Sequence, residues 1–150
     1  MLGTWVSDPL GEGEFPSIPS FRYMDKAVIS HVGQPMLHFM FCASNPDNGK
    51  PLHRECGFIH VKPRTNKVAF VCAQNLGVVE VEEGEVQGKQ LTLTSHSLGS
   101  ISFVKKPHVQ QISRTFRLTP EGKLEHTICM ATSTQAMARH TRVTYKKVTS

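Results

Sequence analysis

The chain has 150 residues, of which 39% are hydrophobic and 19% charged, and a formal net charge of +5. This length predicts one domain over residues 1–150, which can bury about two-thirds of its unfolded surface without disulfides. The composition is that of an ordinary soluble globular protein and excludes a disordered chain. No apolar run is long enough for a membrane span, so we predict no membrane partner.

The basic residues are scattered along the chain rather than gathered in one segment. A nucleic-acid-binding domain usually concentrates them on one face and places aromatic residues between them. Here the aromatic residues lie inside apolar runs. We therefore predict no nucleic-acid contact, and we interpret the charge as favouring solubility and a weak attraction for anions.

The four cysteines are far apart in the sequence and form no CxxC pair, and the N-terminus carries no secretory signal. Each lies in an apolar or alternating segment, where a free cysteine behaves as a small hydrophobic residue. We expect buried, reduced thiols and an intracellular location. The four residues are Cys42, Cys56, Cys72 and Cys129.

At the N-terminus, the first six residues could form a short turn or strand that buries Trp5. The segment that follows, up to Phe21, holds too many prolines and glycines for a helix. We expect it to form a lid or a plug at one end of the fold.

From Tyr23 onward the apolar residues recur with a period of two, which is the spacing of β-strands. Strong turn signals separate the runs, among them NPDNG after Ser44 and the sequence Pro120-Glu121-Gly122. The predicted strands are Tyr23–Val32, Met36–Ala43, Arg54–Lys62, Val68–Gln74, Gly77–Glu83, Leu91–His96, Ile101–Lys105, Val109–Leu118, Leu124–Ala131 and Thr141–Thr149.

About ten short strands with tight turns and no amphipathic helix predict an all-β fold. A meander of hairpin-linked strands favours a closed antiparallel up-and-down barrel, because closure removes unpaired sheet edges. A barrel of about this strand number has room inside for one small ligand, or it is filled by its own side chains.

Eight histidines are the most conspicuous candidates for chemistry. His38, His60 and His126 lie within apolar strands and are expected to be structural, and those near turns are expected to be solvated. His53 and His140 remain, each at a junction between a loop and a strand, where barrels open. A lone histidine is more often solvated than a metal ligand, so the pattern alone leaves the role of His140 open.

Several other kinds of site are not indicated. No HxH, HExxH or CxxC spacing suggests zinc, and the glycine-rich GEGE at Gly11 to Glu14 precedes no helix and would repel phosphate. A Cys-His nucleophile pair is disfavoured by the expected burial of the cysteines. Haem needs only one protein donor and apolar walls, and His140 with Met130, Phe21 and Leu52 could supply these.

Several segments, in the correct order, resemble the nitrobindin family of haem-binding β-barrels. The similarity covers essentially the whole chain and is greatest to the nitrobindin domain at the C-terminal end of an animal THAP-type zinc-finger protein, although no zinc finger is present here. The segments are Leu2-Gly3-Thr4-Trp5, Gly11 to Tyr23, His31 to Pro35, Pro51 to Phe58, Gln74 to Glu83, Met130-Ala131-Thr132 and His140.

The resemblance implies an antiparallel barrel of about ten strands, similar in shape to fatty-acid-binding proteins, with one haem b near its opening. His140 is the implied iron ligand and His53 the implied distal group. Ser17 stands where the family has a haem-contacting threonine, and Leu52 where a plant relative has methionine. The implied haem-contacting residues are Ser17, Phe21, Leu52, His53, Met130 and His140.

Strand parity does not by itself turn His140 toward the interior of such a barrel. If the last strand already includes it, His140 has the opposite parity to Val143 and Tyr145. A break in the strand at Arg139-His140 would permit an inward imidazole, and we predict one there.

The resemblance also implies a ferric haem protein that binds nitric oxide and isomerises peroxynitrite to nitrate, with the iron as the reactive centre. We predict a cytoplasmic or nuclear location and include a homodimer among the expected partners. The alternative is a haem-free carrier of a fatty acid or another apolar ligand. A carrier of this shape binds the ligand's carboxylate with an inward arginine, and Arg114 shares the parity of the apolar residues Ile112 and Phe116. A pure interaction domain is the third possibility.

Overall fold

The computed structural model describes residues 1–15, 18–105 and 108–148. Their β-strands form one 11-stranded antiparallel sheet. No helix among these residues has the length and hydrophobicity that a membrane crossing requires. The strands are β1 (Gly3–Ser7), β2 (Gly11–Phe15), β3 (Ile18–His31), β4 (Met36–Ser44), β5 (Pro51–Val61), β6 (Lys67–Gln74), β7 (Val78–Gln87), β8 (Gln90–Ser100), β9 (Val109–Leu118), β10 (Leu124–Thr132) and β11 (Gln135–Lys147).

The sheet closes into a barrel through its N-terminal strands. From β3 to β11 each strand pairs with the next, and β1 and β2 share the place between β3 and β11. Trp5 of β1 lies opposite Ala27 of β3 and Lys147 of β11, and Gly13 of β2 likewise pairs with both neighbours. The predicted closed antiparallel barrel is therefore confirmed, with one extra strand because the N-terminal wall is divided in two.

The expected N-terminal lid or plug is wrong, because this segment is part of the barrel wall. Trp5 is buried, as predicted, with 4% of its surface exposed. The glycines of β2 make room for inward aromatic rings: a Cβ at Gly11 would lie 2.6 Å from the Tyr23 ring, and one at Gly13 would overlap the Phe21 ring. Glycine in a strand often marks such a close approach.

The predicted strand over Ile101–Lys105 is also wrong. β8 continues through Gly99, which lies opposite Val79 of β7, and residue 101 begins a turn. A hydrogen bond from Ile101 N to Gly77 O attaches this turn to the residue before β7, and one from Val104 N to Ile101 O closes it. The ladder with β7 uses the residues before 101, so the apolar run after them is left outside the sheet.

Successive connections alternate between the two ends of the barrel, because neighbouring strands are antiparallel. We call one end the mouth. It carries the connections β2–β3, β4–β5, β6–β7, β8–β9 and β10–β11. We call the opposite end the base. The interior toward the base is packed with side chains, in which Phe39 stacks on Phe70 with ring centroids 4.5 Å apart. The buried cluster there also includes Ile29, Phe41, Leu93, Phe116, Leu124, Val143 and Tyr145.

All four cysteines are free thiols. Cys72 is buried, as predicted, but Cys56 is exposed, so the expected burial is wrong for that residue. Cys56 follows Glu55 in β5, and Glu55 is the residue that points inward. Alternation then turns the cysteine to the outer face.

Candidate functional site: a histidine bulge at the barrel mouth

His140 lies on a β-bulge in β11. Ile128 of β10 is opposite Thr141, whereas the next residue, Cys129, is opposite Arg139, so His140 is the additional residue between them. A bulge re-aims a side chain and is common at barrel rims. The predicted break at Arg139-His140 is therefore present, and it removes the parity conflict at this histidine.

A backbone contact determines which nitrogen of the His140 ring carries the proton. Nδ1 lies 3.2 Å from the carbonyl oxygen of Glu14 at the end of β2. A carbonyl can only accept, so Nδ1 is the donor, and the lone pair of the neutral ring is on Nε2. Burial lowers the pKa of His140, and the charge on His53 lowers it further, against the hydrogen bond to Glu14 and the charge of Glu55. The ring is thus held in its neutral, metal-binding form.

Strand pairing places two apolar residues at the mouth, near β11. Phe21 lies over Gly13, and its ring centroid is 6.1 Å from that of Tyr23. Met130 has the inward parity of β10 and lies opposite Ala138 of β11. The structure therefore places Phe21 and Met130 at the same end of the barrel as His140.

Two other predicted pocket residues are less closely placed. Leu52 is the additional residue of a second bulge, because Ala43 is opposite His53 while Ser44 is opposite Pro51. Leu52 is at the mouth, but 44% of its surface is exposed. Ser17 lies outside the described residues.

His53 is at the mouth end of β5 and is hydrogen-bonded to a buried carboxylate. Its Nε2 lies 2.8 Å from Oε1 of Glu55, two residues along the same face of the strand. The side chain of His53 is 31% exposed and that of Glu55 is 5% exposed. This pair connects the mouth to a polar cluster deeper in the barrel.

Arg114 is the centre of that cluster. Its guanidinium donates to Glu55, Glu80 and Glu82, with Nη1 to Glu55 Oε2 at 2.9 Å and Nε to Glu82 Oε2 at 2.8 Å. It also lies over the Phe70 ring, 4.8 Å from the centroid. The predicted inward parity of Arg114 is confirmed, but its donors already bind the protein's own carboxylates.

The carboxyl groups of this cluster differ in charge. The positive charge of Arg114 and the hydrogen bond from His53 hold the pKa of Glu55 well below its usual range, although burial alone would raise it. Burial and the neighbouring Glu80 raise the pKa of Glu82 to about 9, against the attraction of Arg114. Arg114 thus favours the ionised form of Glu55, whereas burial favours the protonated form of Glu82.

The acidic members of the cluster were not foreseen from the sequence. In β7 the valines and glutamates alternate, and alternation favours burying the valines. The structure does the reverse: Val79 is 54% exposed, while Glu80 and Glu82 are 1% and 0% exposed. The one available signal was Arg114, because a buried guanidinium requires buried carboxylates nearby.

The remaining histidines divide as follows. His126 is buried and structural, as predicted: it stacks on Phe116 at 4.1 Å between ring centroids, and burial beside Arg114 lowers its pKa to about 3. His38 and His60 flank Phe58 on the outer face, at 5.3 and 6.5 Å between ring centroids. The three that were expected to be solvated are all exposed; they are His31, His96 and His108.

The donor chemistry at the mouth fits a haem. A neutral imidazole whose Nδ1–H is bound to a backbone carbonyl is the usual arrangement of a metal-ligating histidine. The aromatic ring of Phe21 and the thioether of Met130 are suitable walls for a porphyrin. Among the described residues, no three of histidine, cysteine, aspartate and glutamate are grouped to hold a bare metal ion.

The comparison with known families agrees with this chemistry. A family model described as a THAP4-like, heme-binding beta-barrel domain matches residues 1–147. The chain belongs to this family. The match covers β1 to β11 and confirms the resemblance found in the sequence.

Relatives of this THAP4-like domain carry an enzyme name. The peroxynitrite isomerase THAP4 of Homo sapiens is 64% identical over 149 residues, which are 99% of this chain and 26% of that protein. The Mus musculus protein of the same name is 62% identical over an equal share. The chain thus spans about a quarter of the length of these relatives.

More distant relatives match over most of their own length. A peroxynitrite isomerase of Arabidopsis thaliana is 35% identical over 150 residues, which are 99% of this chain and 85% of that protein. The crystal structure of Rv2717c from M. tuberculosis superposes with a TM-score of 0.86 at 28% identity, covering 99% of this chain and 92% of that one. The THAP4-like barrel is therefore shared with bacterial and plant proteins.

Proposed function

We propose that this domain binds one haem b through His140, holds it in the ferric state, and isomerises peroxynitrite to nitrate. The supporting observation is the His140 bulge, which directs a neutral imidazole to the mouth with its Nδ1–H on Glu14 O. The names of the human and Arabidopsis relatives support the reaction. A bound ferric haem supplies a Lewis acid for the rearrangement of peroxynitrite.

The chain's own residues divide the work at the mouth. His140 supplies the iron ligand, and Phe21, Met130 and Leu52 line the porphyrin, with Ser17 as an additional predicted contact. His53 is the candidate for moving a proton on the other side of the haem. The net charge of +5 attracts an anionic substrate weakly and in a salt-dependent manner.

Nitric oxide is the second proposed ligand of the bound iron. Apolar walls such as Phe21 and Met130 offer no hydrogen-bond donor, so they do not favour a charged dioxygen adduct, whereas nitric oxide needs no such donor. We expect the same protein preparation to bind nitric oxide in both iron oxidation states. Absorbance spectra recorded before and after addition of nitric oxide test this expectation.

The alternative of a fatty-acid carrier is weakened by the interior of the barrel. A carrier of this shape needs an inward arginine to bind the ligand's carboxylate. The Arg114 guanidinium instead binds Glu55, Glu80 and Glu82. The base is packed with aromatic rings, including the stacked Phe39 and Phe70.

A hemin titration of the purified protein tests the haem proposal. The wild-type chain is expected to give a Soret band that saturates at one haem per chain. His140→Ala is expected to lose most of the haem affinity while keeping its β-sheet circular dichroism. His60→Ala, which removes an exposed ring from the outer face, is the matched control and should bind as the wild type does.

Equal hemin affinity in the His140→Ala and wild-type proteins would overturn the assignment of the ligand.

The reaction itself is tested by stopped-flow decay of peroxynitrite with nitrate quantified as the product. Haem-loaded protein is expected to accelerate the decay and raise the nitrate yield. An unchanged rate with haem bound would favour the pure interaction domain.

We also propose that the domain forms a homodimer through its outer face. Phe58 of β5 lies opposite Val71 of β6, and Val28 lies opposite Met40, so exposed apolar residues adjoin across neighbouring strands. A second copy suits such a face because an apolar patch can pack against the same patch of another copy, as a two-fold interface requires. The exposed residues are Val28, Met40, Phe58, Val71 and Val79.

Light scattering coupled to gel filtration tests the dimer. Phe58→Lys is expected to convert it to a monomer, and Thr92→Lys, on β8 and outside this patch, is expected to leave it unchanged. A monomeric wild-type protein would exclude the homodimer.

The predicted cytoplasmic or nuclear location is supported by the four free thiols and is tested by imaging the tagged full-length protein.

A further inference from the structure

The hydrogen bond between His53 and Glu55 has a defined direction. Glu55 Oε1 lies 2.8 Å from His53 Nε2 and 3.2 Å from Arg114 Nη2, and Oε2 lies 2.9 Å from Arg114 Nη1. Cys72 Sγ lies 3.9 Å from the same Oε2. Arg114 and Cys72 both donate to this carboxylate, and the paired guanidinium favours its ionised form.

An ionised carboxylate can only accept, so Nε2 of His53 must carry the proton. In the neutral ring the lone pair is then on Nδ1. A histidine with this tautomer accepts a proton through Nδ1 but cannot donate from that nitrogen. The carboxylate thus determines which reaction His53 can perform.

The position of Glu55 is itself determined by the cluster below it. Arg114 donates two hydrogen bonds to Glu55 and is also held by Glu80 and Glu82. Glu80 in turn accepts from Gln74 at 2.8 Å. Both Glu55 and Arg114 are almost fully buried, so water does not compete for their hydrogen bonds.

We propose that Glu55 is a positioning residue for the proposed isomerase: held by Arg114, it keeps the proton of His53 on Nε2 and leaves Nδ1 as the proton acceptor of the mouth. This inference rests on the proposed function for its consequence but not for its geometry. The corresponding step transfers the proton of peroxynitrous acid to Nδ1, which gives the peroxynitrite anion and an imidazolium. The imidazolium then returns the proton to water.

Other charged groups also act on this part of the mouth. The charge of His53 influences both Asp25 on β3 and His140 on β11, and Glu55 influences the same two residues. Only Glu55 is hydrogen-bonded to the His53 ring among the described residues. The tautomer of His53 is therefore expected to depend on Glu55 rather than on its more distant neighbours.

Nitrogen-15 NMR of the histidine side chains tests the proposal, because the two tautomers give distinct pairs of ring-nitrogen shifts. The His53 signals are assigned by their absence in His53→Gln. At a pH where the ring is neutral, the wild-type protein is expected to show Nε2 protonated and Nδ1 unprotonated. The opposite pattern in the wild-type protein would overturn the proposal, and this result needs no variant to fold.

The variant Glu55→Gln provides a second NMR test of the tautomer. The amide keeps the shape of the carboxylate but offers both a donor and an acceptor, so the Nε2–H tautomer is no longer enforced and its share should fall. Glu80→Gln is the matched control, because it makes the same change in the same cluster without touching His53. An unchanged tautomer in Glu55→Gln, or an equal change in both variants, would contradict the positioning role.

Haem-loaded protein links the tautomer to the reaction. Glu55→Gln and His53→Gln are expected to slow peroxynitrite decay by similar factors, and the double variant should be no slower than His53→Gln, because the two residues act as a unit. Additive losses would contradict a role of Glu55 that acts through His53. Hemin titration of each sample distinguishes a failure of the proposed function from a failure of the positioning role. A protein that binds no hemin refutes the proposed function, whereas the NMR result on the His53 tautomer is unaffected.

Discussion

The base and the mouth of the barrel each hold a histidine of the last hairpin, and the two differ in how they are held. His126, toward the base, stacks on Phe116 beside Arg114. His140, at the mouth, is held through Nδ1 by the carbonyl of Glu14. Burial lowers the pKa of both rings, so both are neutral. Charge state therefore does not distinguish a structural histidine from a candidate ligand, but the backbone does, because only His140 lies on a bulge.

The two regions also differ in what they contribute to stability. The base contains the aromatic core and adjoins the buried Arg114 cluster, where each charge depends on its partners. The mouth contains partly exposed side chains on bulged strands, such as Leu52. We expect substitutions near the base to change stability first and substitutions at the mouth to change haem binding first.

The largest expected effect is that of Arg114→Met. It leaves Glu55 and Glu80 buried without their cation, and removing one member of a buried ion pair costs about 3–5 kcal/mol. Urea unfolding monitored by circular dichroism measures the loss. Arg117→Met is the control on the same strand, because its partner Glu125 is more exposed and the pair is at the surface. Similar losses in the two variants would contradict the account of the cluster.

The next effect depends on pH and concerns His126. Because the folded-state pKa is lowered to about 3 from an ordinary 6.5, only the unfolded state gains a proton as the pH falls below 6.5. Wild-type stability should therefore fall there, with up to about 1.4 kcal/mol per pH unit from this group. His126→Gln should lose this part of the slope. Equal slopes between pH 7 and about 4.5 would show that His126 does not contribute.

At the mouth, Gly13→Ala is expected to have a smaller effect. Its Cβ would overlap the Phe21 ring, so the ring must move, and such overpacking costs about 1–3 kcal/mol. Displacing this ring should also weaken hemin binding. The double variant Gly13→Ala/Phe21→Leu should regain stability, because leucine is smaller than phenylalanine and leaves space for the added Cβ. No regain in thermal unfolding would mean that the cost at Gly13 has another origin.

The smallest stability effect is expected for His140→Ala. The ring is only partly buried, so the loss should be less than about 1 kcal/mol. Chemical unfolding of the haem-free protein measures it. A loss as large as that of Arg114→Met would make His140 part of the structural core and would remove the contrast between mouth and base.

The barrel could be predicted from the sequence because a period of two and strong turn signals run along most of the chain. The strand β2 could not, since its glycines and the prolines on either side of it are typical of loops. The role of these glycines depends on rings from another strand: Gly11 and Gly13 accommodate Tyr23 and Phe21. The residues around Gly11 and Gly13 in the sequence do not predict that contact.

The candidate site was predictable in part. His140 was indicated by the family resemblance, and the break beside it by a parity conflict within one strand of the sequence. Glu80 and Glu82 could not be placed, because alternation in β7 favours burial of the valines. Their inward orientation depends on Arg114, which is far away in the sequence and close only through the strand order.

The measurement that tests the central claim most directly is the resonance Raman spectrum of the ferrous, haem-loaded protein. The wild-type chain is expected to show an iron–histidine stretching band. His140→Gly should lack the band, and added imidazole should restore it by entering the vacated space. An unchanged iron–histidine band in His140→Gly without imidazole would contradict the assignment of His140 as the haem ligand.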